Sequence, residues 1–244
     1  MVVSVAHAGR IYPPELLAAA RATRAELERL EDGWSDLIAA RAGEAGATVV
    51  QALWARAVAD CNRGEGQMAP GEVASALRPQ FTAPGRKERA GLGVVPTRLA
   101  DVGPLWKKPI DRAALVWRLD SLHRPFHDAL ADSLEAARRR FGHAILIDLH
   151  SMPPIPAGQA GHGARIVVGD RFGDTADHWL VDAVIAAAEQ LDVPVSRNLP
   201  YRRRPYRPDS WSSPIAASMR CRSKSTAASI CAVTGCPIRT RWGR

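Results

Sequence analysis

Long apolar runs are missing from this 244-residue chain: nothing approaches the roughly 20 consecutive apolar residues that a bilayer-spanning helix requires. A secretory signal is not expected either, because the first apolar stretch, Val2-Val3-Ser4-Val5-Ala6, is too short and ends in His7. These absences point to the cytoplasm and argue against a membrane partner. Cysteine is scarce, with Cys61 alone in the body and Cys221, Cys231 and Cys236 near the end. The last three form no Cys-x-x-Cys pair and no histidine lies beyond Tyr201, so no zinc knuckle is expected there. Acid is scarce too: from Tyr201 onward ten Lys and Arg stand against the single Asp209, and glutamate is absent. The first 200 residues hold 23 basic and 24 acidic side chains, so the net charge of +8 resides in the tail. A neutral body argues against nucleic acid as a partner. The sequence carries no signal for oligomeric state.

What is present reads as an α/β domain, a mainly parallel, mixed sheet with helices on both faces, over residues 1–200. The first strand leads through Pro13-Pro14 into a helix whose stripe is Leu16, Leu17, Ala20, Leu27 and Leu30. Thr48-Val49-Val50 and Ala57-Val58-Ala59 read as short strands, and residues 68–105 as a long irregular loop. Leu115, Leu119, Leu122, Phe126, Leu130 and Leu134 mark a long helix that Pro125 should kink. A strand at Ala144-Ile145-Leu146-Ile147, another at Ile166-Val167-Val168, a helix over about 175–190 and a strand near Val193-Pro194-Val195 complete the body. Residues 201–244 have no sustained period and read as an aberrant basic tail, disordered when taken alone.

The chemistry gathers at strand ends. The strand at 144–147 delivers Asp148, His150 and Ser151 before Met152-Pro153-Pro154 stops it, and open α/β sheets bind ligands at such carboxyl ends. A single histidine there is most often structural. The first strand, however, ends in the same way at His7. Two imidazoles on neighbouring strands suit a metal, and a catalytic zinc takes three protein ligands with one position left for water. Asp32, just after the first helix, is the candidate third ligand. Asp148 is read as pointing to the opposite side of its strand from His150, in a supporting role. Asn62-Arg63 suits capture of a carboxylate, since a guanidinium matches it with two parallel hydrogen bonds. Arg10 and Lys107 are weaker anion-binding candidates. His123 and His127 lie four apart on one helix face and are read as surface residues rather than ligands.

These residues form an ordered set: His7-Ala8-Gly9-Arg10 with Tyr12-Pro13-Pro14, Glu31-Asp32, Asp60-Cys61-Asn62-Arg63, Gly91-Leu92-Gly93-Val94-Val95, Arg124-Pro125-Phe126-His127, Asp148-Leu149-His150-Ser151-Met152-Pro153 and Gly169-Asp170-Arg171-Phe172-Gly173. In that order they resemble the N-formylglutamate amidohydrolase family, from residue 1 to about Tyr201. The resemblance implies a zinc-carboxypeptidase-like (phosphorylase/hydrolase-like) fold and a divalent metal, Zn2+ by preference, on His7, Asp32 and His150. It also implies a substrate clamp at Asn62 and Arg63 with Arg10, and supporting roles for Asp60, Asp148, Ser151 and His127. The relatives carry a ligand glutamate three residues after the first histidine, where Arg10, which cannot ligate zinc, stands in this chain, so the third ligand departs from their pattern. The implied reaction is hydrolysis of N-formyl-L-glutamate to formate and L-glutamate, a step of histidine degradation. A related deacylase of another N-acyl acidic amino acid, or a non-catalytic acidic amino-acid binder, are the alternatives.

The tail departs from that pattern. Relatives are expected to carry a catalytic glutamate in a late strand resembling His-Ala-Leu-Gln-Val-Glu-Ile-Asp-Arg-Ser-Leu-Tyr-Leu, and no glutamate stands in this tail. Back-translation of residues 218–231, with each codon begun at the third base of the one before, admits His-Ala-Val-Gln-Val-Glu-Ile-Asp-Arg-Ser-Leu-Tyr-Leu. The tail is therefore read as a frameshift product that leaves the catalytic set incomplete, with a sheet edge exposed where the last strand belongs.

Overall fold

A computed structural model describes residues 1–81, 83–173 and 175–200, together with the backbone of residues 227–234. Strands β1 (Val2–Val5), β2 (Thr48–Gln51), β5 (Ala144–Ser151), β6 (Ile166–Gly169), β7 (Val195–Arg197) and β8 (Ala227–Thr234) form one six-stranded sheet in the order β2-β1-β5-β8-β6-β7. The β2-β1-β5-β8 pairs and the β6-β7 pair are parallel; β6 meets β8 antiparallel. The α/β class with a mainly parallel sheet is thus as the sequence suggests. Strands β3 (Arg98–Leu99) and β4 (Gly103–Pro104) make a small separate ribbon.

Alternation along the strands divides the core. Val2 and Leu146 join the large cluster with Leu27, Leu115, Leu119 and Leu130, while Val3, Val5, Ile147 and Leu149 pack with Ala39 on the other face. Helices α5 (Arg112–Arg118) and α6 (Arg124–Phe141) therefore cover one side, and α3 (Ser35–Glu44) and α7 (His178–Glu189) the other. Each fully buried Val or Leu contributes about 1.5–3 kcal/mol of transfer free energy. Among the described residues no helix is long and apolar enough to cross a membrane.

Several local expectations change. The single helix expected after Pro13 is two, α1 (Pro14–Ala19) and α2 (Arg24–Glu28), because the Arg21 and Ala22 amides leave the helix for the Leu105 carbonyl at 2.8 and 3.2 Å. Thr23 then restarts it with a capping box to Glu26. Residues 57–59 are not a strand but a fully buried turn, and Arg118 Nη1 donates to the Ala57 and Val58 carbonyls at 2.7 and 2.9 Å. Their apolarity reflects burial, not pairing. Helix α3 gave no sequence signal, since its run of Ala and Gly has little amphipathic contrast. The loop over 68–105 is mostly irregular, with short 3-10 turns and the one-turn helix α4 (Arg86–Arg89).

The long helix does not merely kink at Pro125. Leu119–His123 is a π segment between α5 and α6, with the Arg124 amide bonding Leu119 five residues back. Pro125 has no N–H to continue the α ladder, and the wider turn absorbs that interruption.

Residues 227–234 also correct the reading of the tail as wholly irregular: β8 pairs with β5 from Ala144↔Ala227 to Ser151↔Thr234, and with β6 on its other side. The run Ala-Ala-Ser-Ile-Cys-Ala-Val-Thr carries no charge and no proline, a composition that suits an interior strand. The expected open edge beside β5 is filled. The other tail residues, 201–226 and 235–244, lie outside the described residues.

Candidate metal centre and carboxylate clamp

Leu146, Asp148 and His150 alternate on one face of β5, and β1 lies alongside with Val2 opposite Leu146 and Ser4 opposite Asp148. His7 follows the carboxyl end of β1, so both imidazoles reach the same end of the sheet. Their ring centroids are 4.8 Å apart. Asp32 arrives from the turn after α2, its amide bonded to the His7 carbonyl at 2.9 Å and its own carbonyl accepting from Ser35 Oγ at 2.8 Å. His7, Asp32 and His150 are buried and each offers a ligand atom within 4.8 Å of the others. Nδ1 of His150 lies 2.7 Å and Nδ1 of His7 3.3 Å from the same Asp32 oxygen, Oδ2.

The outer ring nitrogens are equally well fixed. His7 Nε2 meets Asp60 Oδ1 at 2.7 Å, and His150 Nε2 meets Asp148 Oδ2 at 3.0 Å. With a cation bound, a carboxylate acceptor there would hold the hydrogen on Nε2 and turn the Nδ1 lone pair to the ion; both Nδ1 atoms lie within hydrogen-bond distance of Asp32 Oδ2. Asp60 is itself saturated: Arg56 donates to Oδ2 through Nε and Nη2 at 3.0 and 2.8 Å, and the Asn62 amide donates to Oδ1 at 2.8 Å. Asp148 accepts from Ser4 Oγ at 2.9 Å. Burial works against the charge on Asp32, but hydrogen bonds from His150 and His7 outweigh it and hold its pKa below the usual carboxylate range. Asp60 behaves likewise, burial being overcome by the Arg56 and His7 charges, and so does Asp148, through the charge and hydrogen bond of His150. Two converging imidazoles and an ionised carboxylate are a donor set that fits zinc.

Asn62 and Arg63 stand at the rim. Asn62 Nδ2 lies 2.9 Å from His150 Nε2. Arg63 is 7 % exposed; Nε donates to the Leu92 carbonyl at 3.2 Å, Nη1 to the Asn62 carbonyl, and Nε stands 4.0 Å from Asp60. A guanidinium so anchored is oriented before any ligand arrives.

The structure therefore brings His7, Asp32, His150, Asp60, Asp148, Asn62 and Arg63 together. Asp148 lies on the same face as His150, not the opposite one, because side chains two apart in a strand share a face. Arg10 is not brought in: its guanidinium forks onto Asp36 at 2.9 and 3.0 Å on the surface, and that carboxylate occupies the fork the substrate was expected to fill. Gly9 beside it is required by packing, since a Cβ there would lie 2.1 Å from the Trp54 carbonyl oxygen. Lys107 Nζ bonds the Ala18 carbonyl at 2.8 Å. Ser151 closes β5, half-buried. His123 and His127 are not surface residues; they are 1 % and 8 % exposed. Arg56, just before the stretch expected as a strand, carries no sequence signal for its place behind Asp60, and His123, expected on the surface, instead donates through Nε2 to the Arg63 carbonyl at 2.7 Å.

A sequence model of N-formylglutamate amidohydrolase matches residues 1–214. The chain belongs to the N-formylglutamate amidohydrolase family. The match extends past Tyr201, beyond the last motif that carried the resemblance. Among solved structures, the chain is similar to an N-formylglutamate amidohydrolase from Ralstonia eutropha, with 26 % identity and a TM-score of 0.82 over 97 % of this chain and 81 % of that one. It is also similar in fold to a gene product of Agrobacterium tumefaciens, with 19 % identity and a TM-score of 0.59 over 96 % of this chain and 79 % of that one. A search of curated proteins finds no match.

Proposed function

We propose that this family member is a metal-dependent amidohydrolase acting on N-formyl-L-glutamate, with turnover limited by a missing proton acceptor. The observation that carries the reading is the convergence of His7 Nδ1, Asp32 Oδ2 and His150 Nδ1 beside the anchored Arg63. His7, Asp32 and His150 would hold the metal, zinc by donor chemistry, which when bound supplies polarisation of the formyl oxygen and a water of lowered pKa. Arg63 binds a substrate carboxylate, and Asn62 orients the group between it and His150. Asp60 and Asp148 keep each imidazole in one tautomer, so the ligand geometry is set before substrate binds. The carboxylate expected to take the water's proton and pass it to the leaving amine is a late glutamate, and no glutamate follows Glu189. The zinc-carboxypeptidase-like topology and a role in histidine degradation belong to the same proposal.

That missing glutamate favours a second reading, a protein that binds acidic amino acids without hydrolysing them. Formate release from N-formyl-L-glutamate, compared with acetate and succinate release from the corresponding N-acyl compounds, separates the two. Formate release abolished by His150→Ala supports the enzyme; glutamate binding without release of any acid, even at high protein concentration, supports the binder. We also propose that the tail arose by a frameshift. Nucleotide sequencing across codons 195–244, with mass spectrometry of the expressed chain, tests this: an intact frame encoding this tail overturns it.

A further inference from the structure

We propose that His127 is a ligand for the substrate, its imidazole sharing with Arg63 the carboxylate of the bound acidic amino acid; this rests on the functional reading above. Helix α6 covers the sheet face that bears Leu146, Asp148 and His150, and His127 is 8 % exposed within it. Its ring lies 4.4 Å from that of His123 and edge-on to Phe126 at 5.6 Å. Among the described residues neither Nδ1 nor Nε2 of His127 has a hydrogen-bond partner. The Cys61 backbone comes close enough to act on the ring, as do the charges of Glu65, Asp148 and His123.

Arg118 Nε and His123 Nδ1 on the same face also lack a hydrogen-bond partner among the described residues, but each of those side chains makes a hydrogen bond through another nitrogen. His123, one turn earlier, uses Nε2 on the Arg63 carbonyl at 2.7 Å. Arg118 spends Nη1 on the Ala57 and Val58 carbonyls, and Arg124 forks onto Glu65 at 2.9 and 2.8 Å. Every one of these tethers runs from α5, the π segment or α6 to residues 57–65, the stretch carrying Asp60, Asn62 and Arg63. The helix thus holds the clamp backbone in place, and among the described residues of that face His127 is the member with both ring nitrogens unpartnered. A buried imidazole with both nitrogens unbonded is costly, and such groups in native proteins call for an explanation. A ligand beside the Cys61–Arg63 backbone provides one, because a neutral imidazole offers a donor to a carboxylate. Burial, with the nearby His123 charge, lowers the His127 pKa to about 4 and so keeps that neutral form at pH 7.

The experiment is calorimetric titration of the zinc-loaded full chain with L-glutamate, in wild type and His127→Leu, with zinc content and Tm measured on each. Leucine fills the volume and removes the unbonded nitrogens. The expected result is binding weakened about tenfold to a hundredfold, the loss of one hydrogen bond to a charged group, with unchanged zinc and a Tm no lower than wild type. Unchanged affinity, or a Tm several degrees lower, overturns the proposal, the latter because it makes the imidazole structural. If the leucine variant does not fold, imidazole 15N resonances of wild type decide: a His127 shift on adding glutamate supports the role, and its absence overturns it. Failure of wild type itself to bind glutamate overturns the functional reading together with this one. Wild-type binding that His127→Leu leaves intact overturns this one alone.

Discussion

Two histidine pairs lie within one sheet face and its covering helix, at nearly equal ring separations, 4.8 Å for His7 and His150 and 4.4 Å for His123 and His127. Around the first pair, three aspartates engage the ring nitrogens. Around the second, one nitrogen meets a backbone carbonyl and three have no partner among the described residues. Proximity of imidazoles therefore does not make a metal site. On the proposed reading the carboxylates around the first pair do, by fixing tautomers and supplying the negative charge that a divalent ion needs. The helical pair has Glu65 4.0 Å from His123 Nδ1 but no carboxylate hydrogen-bonded to either ring among the described residues, and burial there favours neutral rings.

Breaking the first pair should have the largest effect. His7→Ala is expected to lower zinc affinity by more than about a thousandfold, since one of three protein ligands is lost; competition against a chromogenic chelator measures it. His123→Leu should leave that affinity unchanged. Next in size is the pH response of the second pair. His127 has a folded pKa of about 4 against about 6.5 unfolded, so between those values the unfolded chain binds more protons. His127 therefore leaves the fold's stability undiminished above about pH 6.5 and lowers it as pH falls toward 4, by on the order of 3 kcal/mol. Thermal melts from pH 7 to 4.5 should fall steeply in wild type and less steeply in His127→Leu. Asp60→Asn, which keeps shape but removes the charge behind His7, should cost about 10–100-fold in zinc affinity. Smallest is Arg10→Ala. Its exposed pair with Asp36 is worth at most about 1 kcal/mol, and zinc and glutamate affinities should not move.

The sequence made the first pair legible because its parts recur: two short β-branched strands, each ending in histidine, and an Asp-Cys-Asn-Arg segment between them. Asp32 was legible as a carboxylate just after the first helix, though nothing local marks the turn after Leu30 as facing β1. The strand period places Asp148 beside His150, so that relation was available and was misjudged. Arg56 and His123 could not be found in this way. Their roles depend on a buried turn at 57–59 that mimics a strand in composition, and on a π segment that rotates the helix by one residue. The same holds for β8: its apolar run was visible, but not that it would insert between β5 and β6 in so basic a tail.

The central claim is that the carboxylate-bound pair, and not the helical pair, forms the metal centre. X-ray absorption at the zinc edge, on the full chain loaded with one equivalent of zinc, tests it most directly. The account predicts two imidazole ligands with oxygen at about 2.0–2.1 Å and no sulfur. Three or four imidazoles, a sulfur shell near 2.3 Å, or two imidazoles that are lost in His123→Leu/His127→Leu, would contradict it.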